Sequence, residues 1–261
     1  MAHRDHKSIE ASLMAQLREE IHRLLAPHRH TALLTAIIAA FLVRPLIGDS
    51  GAGPILFSSA LLVLLLLSLY NIDVDELVGD RKVLLAQRRR RSIIAWMLAV
   101  PAIVERFAVV VAPSRSLYLA GSIFWLLLFA YITWNELRAV LKQRDITREV
   151  ISMAISVYLL FGLTFGLFYI VLHDLQPNAF SFGAGSPPSE QQTIPILIYF
   201  SLTTLSTIGF GDITPVTLQA RYAAVAEGIT GQFYLAILVA RLVGMQMTQS
   251  PTPRAEDKTK E

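Results

Sequence analysis

The stretch TTLSTIGFGDITP, Thr203 to Pro215, sets threonine hydroxyls, two glycines separated by one aromatic residue, and an aspartate between two apolar runs. Backbone that is not helical survives at membrane depth only where protein surrounds it or where it lines a watery path. Thr207, Ile208, Gly209, Phe210 and Gly211 form such a stretch. Glycine accepts positive φ, so glycines at alternate positions let successive carbonyls turn to one side. A row of carbonyl oxygens facing one axis replaces the hydration shell of a cation. The chemistry offered is therefore dehydration and passage of a cation, with no covalent step. A plain glycine turn between two helices would need neither the threonines nor the depth. No paired carboxylates, nucleophile triad or phosphate loop stands out, so the sequence points to no enzyme.

The elements that must position this segment are those of an integral membrane protein. Of 261 residues, 54% are hydrophobic and 16% charged, too apolar for an ordinary soluble domain. Apolar runs occupy about 31 to 47, 54 to 72, 92 to 112, 116 to 134, 149 to 172 and 216 to 247. These read as six membrane spans in an all-α fold. A shorter run, Ile194 to Leu205, has about a dozen residues before the glycines and suits a re-entrant helix. The net charge of +3 arises from basic clusters between the apolar runs, which speaks for topology and against a nucleic-acid partner. With the N-terminus inside, only Arg44, Arg106, Arg115 and Arg221 of the 23 lysines and arginines are left to the outer half. Both termini are expected in the cytoplasm and the glycine segment outward. The chain has no cysteine, which excludes disulfides and thiolate metal sites. Thirty residues rich in charged and polar types precede the first apolar run, and nothing resembles a removable signal peptide.

The segment TLSTIGFGD is similar to the signature of the tetrameric potassium channel superfamily, T-x-x-T-x-G-[YF]-G-D. Thr204, Thr207, Gly209, Phe210, Gly211 and Asp212 match it in place, and the order of outer helix, pore helix, filter and inner helix matches over about 149 to 247. The resemblance implies that the carbonyls of Thr207, Ile208, Gly209 and Phe210, with the Thr207 hydroxyl, coordinate dehydrated K+. It places Asp212 at the outer mouth, bonded to Tyr199 of the pore helix, with Thr203, Thr204 and Gly211 supporting the filter. Phe210 stands where tyrosine is common, so one bracing hydroxyl is missing. The chain carries a single filter segment, so four copies must surround the axis, as a cyclic homotetramer in the plasma (inner) membrane. K+ is the permeant ion, and no cofactor is implied. A compact chain of this kind is typical of bacterial members.

Gly231 lies nineteen residues after Asp212, where related channels often keep a hinge glycine; close helix packing is the other reading, for it or for Gly228. Glu227 is a carboxyl within the membrane and thus a candidate for function. It either rings the cavity or points behind the filter to Thr203 or Thr204. The second is the expectation, which leaves Gln232 as the polar residue of the cavity. Thr193 can cap the pore helix, with Pro195 in its first turn.

The expected organisation is an amphipathic cytoplasmic helix within 1–30, four transmembrane helices over 31–134, a cytoplasmic linker at 135–148, a pore domain at 149–247 and a disordered tail at 248–261. The fourth span has no basic residue between Arg115 and Arg138. Each charge crossing the field contributes only about 2.3 kcal/mol per 100 mV, so steep voltage gating is not expected. Glu105 and Arg106 should find structural partners in the bundle. Arg88, Arg89, Arg90 and Arg91 mark the cytoplasmic interface, with anionic lipid recognition as the sharper alternative. His28 and His30 show no third ligand for a metal, and Trp96, Trp125 and Trp134 read as packing or interface anchors.

Overall fold

A computed structural model describes residues 29–47, 81–111, 114–143, 145–183 and 190–249. The expected N-terminal helix, the second span at 54–72 and the tail beyond 249 lie outside the described residues. Among those residues the fold is helical: α1 Arg29–Ile47, α2 Arg81–Val111, α3 Arg115–Lys142, α4 Arg148–Leu175, α5 Glu190–Leu205 and α6 Leu218–Gln249. A two-residue ribbon accompanies them, β1 Phe180–Ser181 paired antiparallel with β2 Thr214–Pro215.

Three of these helices are long and apolar enough to cross a membrane: α3, α4, and α6 as far as Gly244. The described apolar part of α1, His30–Leu42, and that of α5, Gln192–Leu205, are shorter. Helix α2 spans 31 residues, but its first half carries the basic run and its second half a proline, Pro101, and a buried acid, Glu105.

The local sequence explains where the helices begin and end. Thr147 caps α4, its hydroxyl accepting from the Val150 N–H at 3.3 Å. Thr217 caps α6 in the same way through Ala220. Helix α3 runs through Lys142, past the expected end at 134, so the segment expected as a linker is largely helical. Helix α5 begins at Glu190, ahead of Thr193. Thr193 is thus buried inside the helix and Pro195 lies beyond its first turn, which corrects the expected cap.

Helix α4 is the hub, packed against α1, α3, α5 and α6, while α2 rests on α3. The core joins Leu33 and Ile37 of α1, Leu128, Phe129 and Ile132 of α3, Leu160 and Leu163 of α4, and Leu197 of α5. Lipid tails are as apolar as these side chains, so close approach and interhelical hydrogen bonds must hold such helices together. Both are present. Gly162 and Gly166, one turn apart on α4, let α5 come so near that a Cβ would meet Leu202 Cδ2 at 2.6 Å or Ile198 Cα at 3.0 Å. Thr133 of α3 and Thr164 of α4 pair their hydroxyls at 2.9 Å. Tyr234 of α6 donates to the Ala154 carbonyl of α4 at 2.7 Å.

At the other end of α3 the last carbonyls point at a cation. The Arg241 guanidinium of α6 donates to the carbonyls of Val140 and Leu141, each at 2.8 Å, and to that of Gln143. They lie at the negative end of the helix dipole, where carbonyls lose their intrahelical partners; that of Val140 also accepts from the Gln143 N–H at 3.2 Å. Glu105 of α2 is buried against Gly121 of α3, where a Cβ would overlap its carboxyl group.

Candidate functional site

The segment between α5 and α6 has the backbone its sequence demands. Thr207, Gly209 and Gly211 have φ of +59°, +52° and +78°. Every second residue is therefore left-handed, and one of the three is a threonine, for which that region costs about 1–2 kcal/mol. The segment hangs from the carboxyl end of α5. The N–H groups of Ile208 and Gly209 both donate to the Thr203 carbonyl, at 2.9 and 3.1 Å, and that of Thr207 to the Thr204 carbonyl at 3.0 Å. The Thr203 and Ser206 hydroxyls turn back onto Phe200 and Leu202 carbonyls at 2.9 and 2.7 Å.

The carboxyl-terminal side of the segment is pinned as well. The ribbon binds Thr214 and Pro215 to Ser181 and Phe180, and the Val216 N–H donates to the Ala179 carbonyl at 2.8 Å. Between the two anchors, Thr207 to Asp212 are all exposed in the single chain. Phe210 lies parallel to Tyr199, with ring centroids 6.3 Å apart and planes 5° from parallel. The Tyr199 hydroxyl interacts with the Asp212 carboxylate, the contact expected from the sequence.

Behind the segment sits Glu227 of α6, wholly buried. Its Oε2 accepts from the Tyr169 hydroxyl of α4 at 2.6 Å, and its Oε1 contacts the Ser201 hydroxyl of α5. Ser201 also reaches the Gly162 carbonyl of α4 at 2.7 Å. Glu227 thus points into the helix packing behind the glycine segment, but its partners are Tyr169 of α4 and Ser201 of α5 in place of the expected Thr203 or Thr204. Tyr169 is fixed at the centre of an aromatic cluster, edge-on to Phe180 at 5.5 Å and to Phe200 at 5.1 Å.

Gly231 meets the carboxyl end of α5 directly. A Cβ there would stand 2.7 Å from the Leu205 carbonyl oxygen, which also accepts from the Tyr158 hydroxyl at 3.1 Å. This contact serves the packing reading of Gly231. Gly228 is looser, 3.9 Å from the Thr204 carbonyl. Gln232 is exposed in the single chain, beside a stripe of exposed apolar residues on α6, Val225, Ile229, Phe233 and Ile237.

The basic run lies on α2, with Arg90 exposed and the Arg91 carbonyl accepting from Tyr131 at 3.2 Å; the side chains of Arg88 and Arg89 are outside the described residues. His30 is buried with its Nδ1 3.7 Å from Glu136 Oε2, and no metal-holding cluster of three acidic, histidine or cysteine side chains occurs among the described residues. The sequence reading missed Tyr169, Tyr158 and Ser201. The signal was present: polar atoms in apolar runs, on the helices flanking a membrane-embedded acid.

Comparison with known proteins agrees with this geometry. The profile of a family described as "Ion channel" matches residues 153–247, from α4 through the glycine segment to α6. The potassium channel protein Kcv of Paramecium bursaria Chlorella virus 1 is 33% identical over 72 residues, covering 27% of this chain and 76% of Kcv. Protein LctB of Bacillus caldotenax is 33% identical over 90 residues, covering 33% of this chain and 64% of LctB, less than two thirds of that relative's length. A glycine segment held between α5 and α6, in a chain that matches three quarters of a viral potassium channel, places this chain in the potassium channel superfamily.

Proposed function

We propose that the protein is a potassium-selective channel that passes dehydrated K+ passively through a ring of carbonyls contributed by four identical chains. The observation that carries the reading is the alternation of left-handed φ at Thr207, Gly209 and Gly211 in a segment fixed at both ends. Such alternation lets the carbonyls of Thr207, Ile208, Gly209 and Phe210 share one direction, with the Thr207 hydroxyl as a further ligand. Helix α5 ends at this segment, so the negative end of its dipole favours a cation there.

One chain supplies one quarter of such a ring. The exposed stripe from Val225 to Ile237 supports a homotetramer, since it needs cover from neighbouring copies or from lipid. In this reading the chain is a multi-pass protein of the plasma (inner) membrane with six spans, α5 as the re-entrant helix, and both termini cytoplasmic. The arginines 88 to 91 then lie where anionic lipid headgroups are available. K+ is cargo, and no cofactor or catalytic step belongs to the scheme.

A second reading, a weakly selective cation channel, is favoured by Phe210, whose ring stacks on Tyr199 but has no hydroxyl to brace the filter. A non-conducting membrane sensor is the rival outside transport. Potassium flux into liposomes, with sodium as competitor and Gly209→Ala as control, separates them. Potassium-selective flux abolished by the variant is the expected result. Equal sodium and potassium flux favours the weakly selective reading, and no flux in any condition favours the sensor.

A further inference from the structure

Three helices meet at Glu227 through three oxygen–oxygen contacts: Tyr169 Oη to Glu227 Oε2 at 2.6 Å, Glu227 Oε1 to Ser201 Oγ, and Ser201 Oγ to the Gly162 carbonyl at 2.7 Å. Each contact needs a proton between its oxygens. The two hydroxyls supply one proton each, and a carbonyl supplies none. With an ionised carboxylate, Ser201 must serve both Gly162 and Glu227 with a single proton, so one contact is left as bare oxygen against oxygen. With a neutral carboxyl the count closes. Tyr169 donates to Oε2, the acid O–H on Oε1 donates to Ser201 Oγ, and Ser201 donates to the Gly162 carbonyl.

The surroundings argue the same way. Glu227 is wholly buried within the single chain, so its burial does not depend on neighbouring copies. The titratable groups facing it are two phenols of α4, Tyr169 in contact and Tyr158 further off; α5 presents Ser201, and no cation pairs with the acid among the described residues. A buried carboxylate without a cation is among the most expensive groups a protein can hold.

We propose that Glu227 is a positioning residue held as the neutral acid, whose proton, donated to Ser201, clamps the pore helix α5 between α4 and α6 and so fixes the filter segment that hangs from it. The role in the filter rests on the channel reading above; the neutral state of the acid does not. The clamp is a hydrogen-bond chain with a fixed direction, running from Tyr169 through Glu227 and Ser201 to Gly162. Glutamine can reproduce it, its carbonyl accepting from Tyr169 and its amide donating to Ser201. Aspartate cannot, because its carboxyl is withdrawn by one methylene.

The test uses the full-length protein in liposomes at neutral pH. The infrared difference spectrum, wild type minus Glu227→Gln, should show a carbonyl stretch of a protonated carboxylic acid, and this band should shift in Ser201→Ala, where its acceptor is gone. Potassium flux should stay within about twofold of wild type in Glu227→Gln and fall about tenfold or more in Glu227→Asp, which leaves buried hydroxyls unmatched. A carboxylate band in place of the acid band overturns the proposal. So does a Glu227→Gln protein as impaired as Glu227→Asp, since the amide keeps both the volume of the acid and the direction of its hydrogen bonds; the shift of the acid band in Ser201→Ala is the readout that a merely volume-filling role would not give. If the acid band is present while wild type carries no flux, the channel reading fails and the neutral state of the acid stands.

Discussion

The Leu205 carbonyl oxygen occupies the space in which Gly231 would carry a side chain, 2.7 Å from the position of a Cβ, with Leu205 Cδ1 at 2.9 Å. The nearer obstacle is backbone and cannot rotate away. Gly231→Ala should therefore push α6 off the end of α5 and destabilise the protein by about 1–3 kcal/mol, the usual cost of overpacking. Thermal unfolding in detergent checks this. Gly228→Ala, with 3.9 Å of room, should unfold like wild type. A Gly231→Ala protein as stable as wild type would return weight to the hinge reading.

Gly209 and Gly211 have positive φ and open space around a would-be Cβ, so alanine meets only backbone strain, about 1–2 kcal/mol per residue. That strain falls on a segment exposed in the single chain. Gly209→Ala should therefore leave helical content and melting temperature close to wild type while abolishing potassium flux. Wild-type flux through Gly209→Ala would remove the carbonyl ring from the account.

Arg241 ties α6 to the end of α3 through three backbone carbonyls. Charge-assisted bonds of this kind contribute about 1.5–3 kcal/mol each to a buried site and less where water competes. Arg241→Gln should speed amide hydrogen exchange in the last turn of α3 about tenfold or more, since about 1.4 kcal/mol is a factor of ten. Arg241→Lys should recover only part of the protection, because an ammonium is a point charge and lacks the guanidinium fork. Unchanged exchange in Arg241→Gln would show that this contact carries no energy.

Tyr199 acts at two atoms, its ring on Phe210 and its hydroxyl towards Asp212. Tyr199→Phe keeps the first and deletes the second. In a double-mutant cycle with Asp212→Asn, read by the melting temperature, the hydroxyl and the carboxylate should couple by about 0.5–1.5 kcal/mol. Strict additivity would sever Asp212 from α5.

The stretch from Thr203 to Pro215 was legible because its chemistry is local. Six matched positions between Thr204 and Asp212, the glycines at alternate residues and a flanking apolar run state the backbone path without reference to anything distant. Even the long-range tie of Tyr199 to Asp212 follows, since both belong to that one stretch. What stayed hidden depends on how helices are turned against each other. Ser201 and Tyr169 reach Glu227 only because the glycines at 162 and 166 let α4 and α5 approach, and no spacing along the chain encodes that crossing. The same holds for Arg241, a membrane-end charge by sequence and a helix cap by structure. Thr193 misled for a simpler reason: a threonine before a proline looks like a helix start, while the helix begins earlier, at Glu190.

The two-residue ribbon has a mechanical meaning. It converts the segment from Thr207 to Asp212 from a loop into a short bridge with both abutments built in, one on Thr203 and Thr204 and the other on Phe180 and Ser181. A bridge of this kind cannot slide or swing as a body. Its only internal freedom is the crankshaft turning of single peptide planes, in which a change of ψ at one residue is offset by φ of the next and the ends stay where they are. Any change of state inside it must therefore be a flip of individual carbonyls.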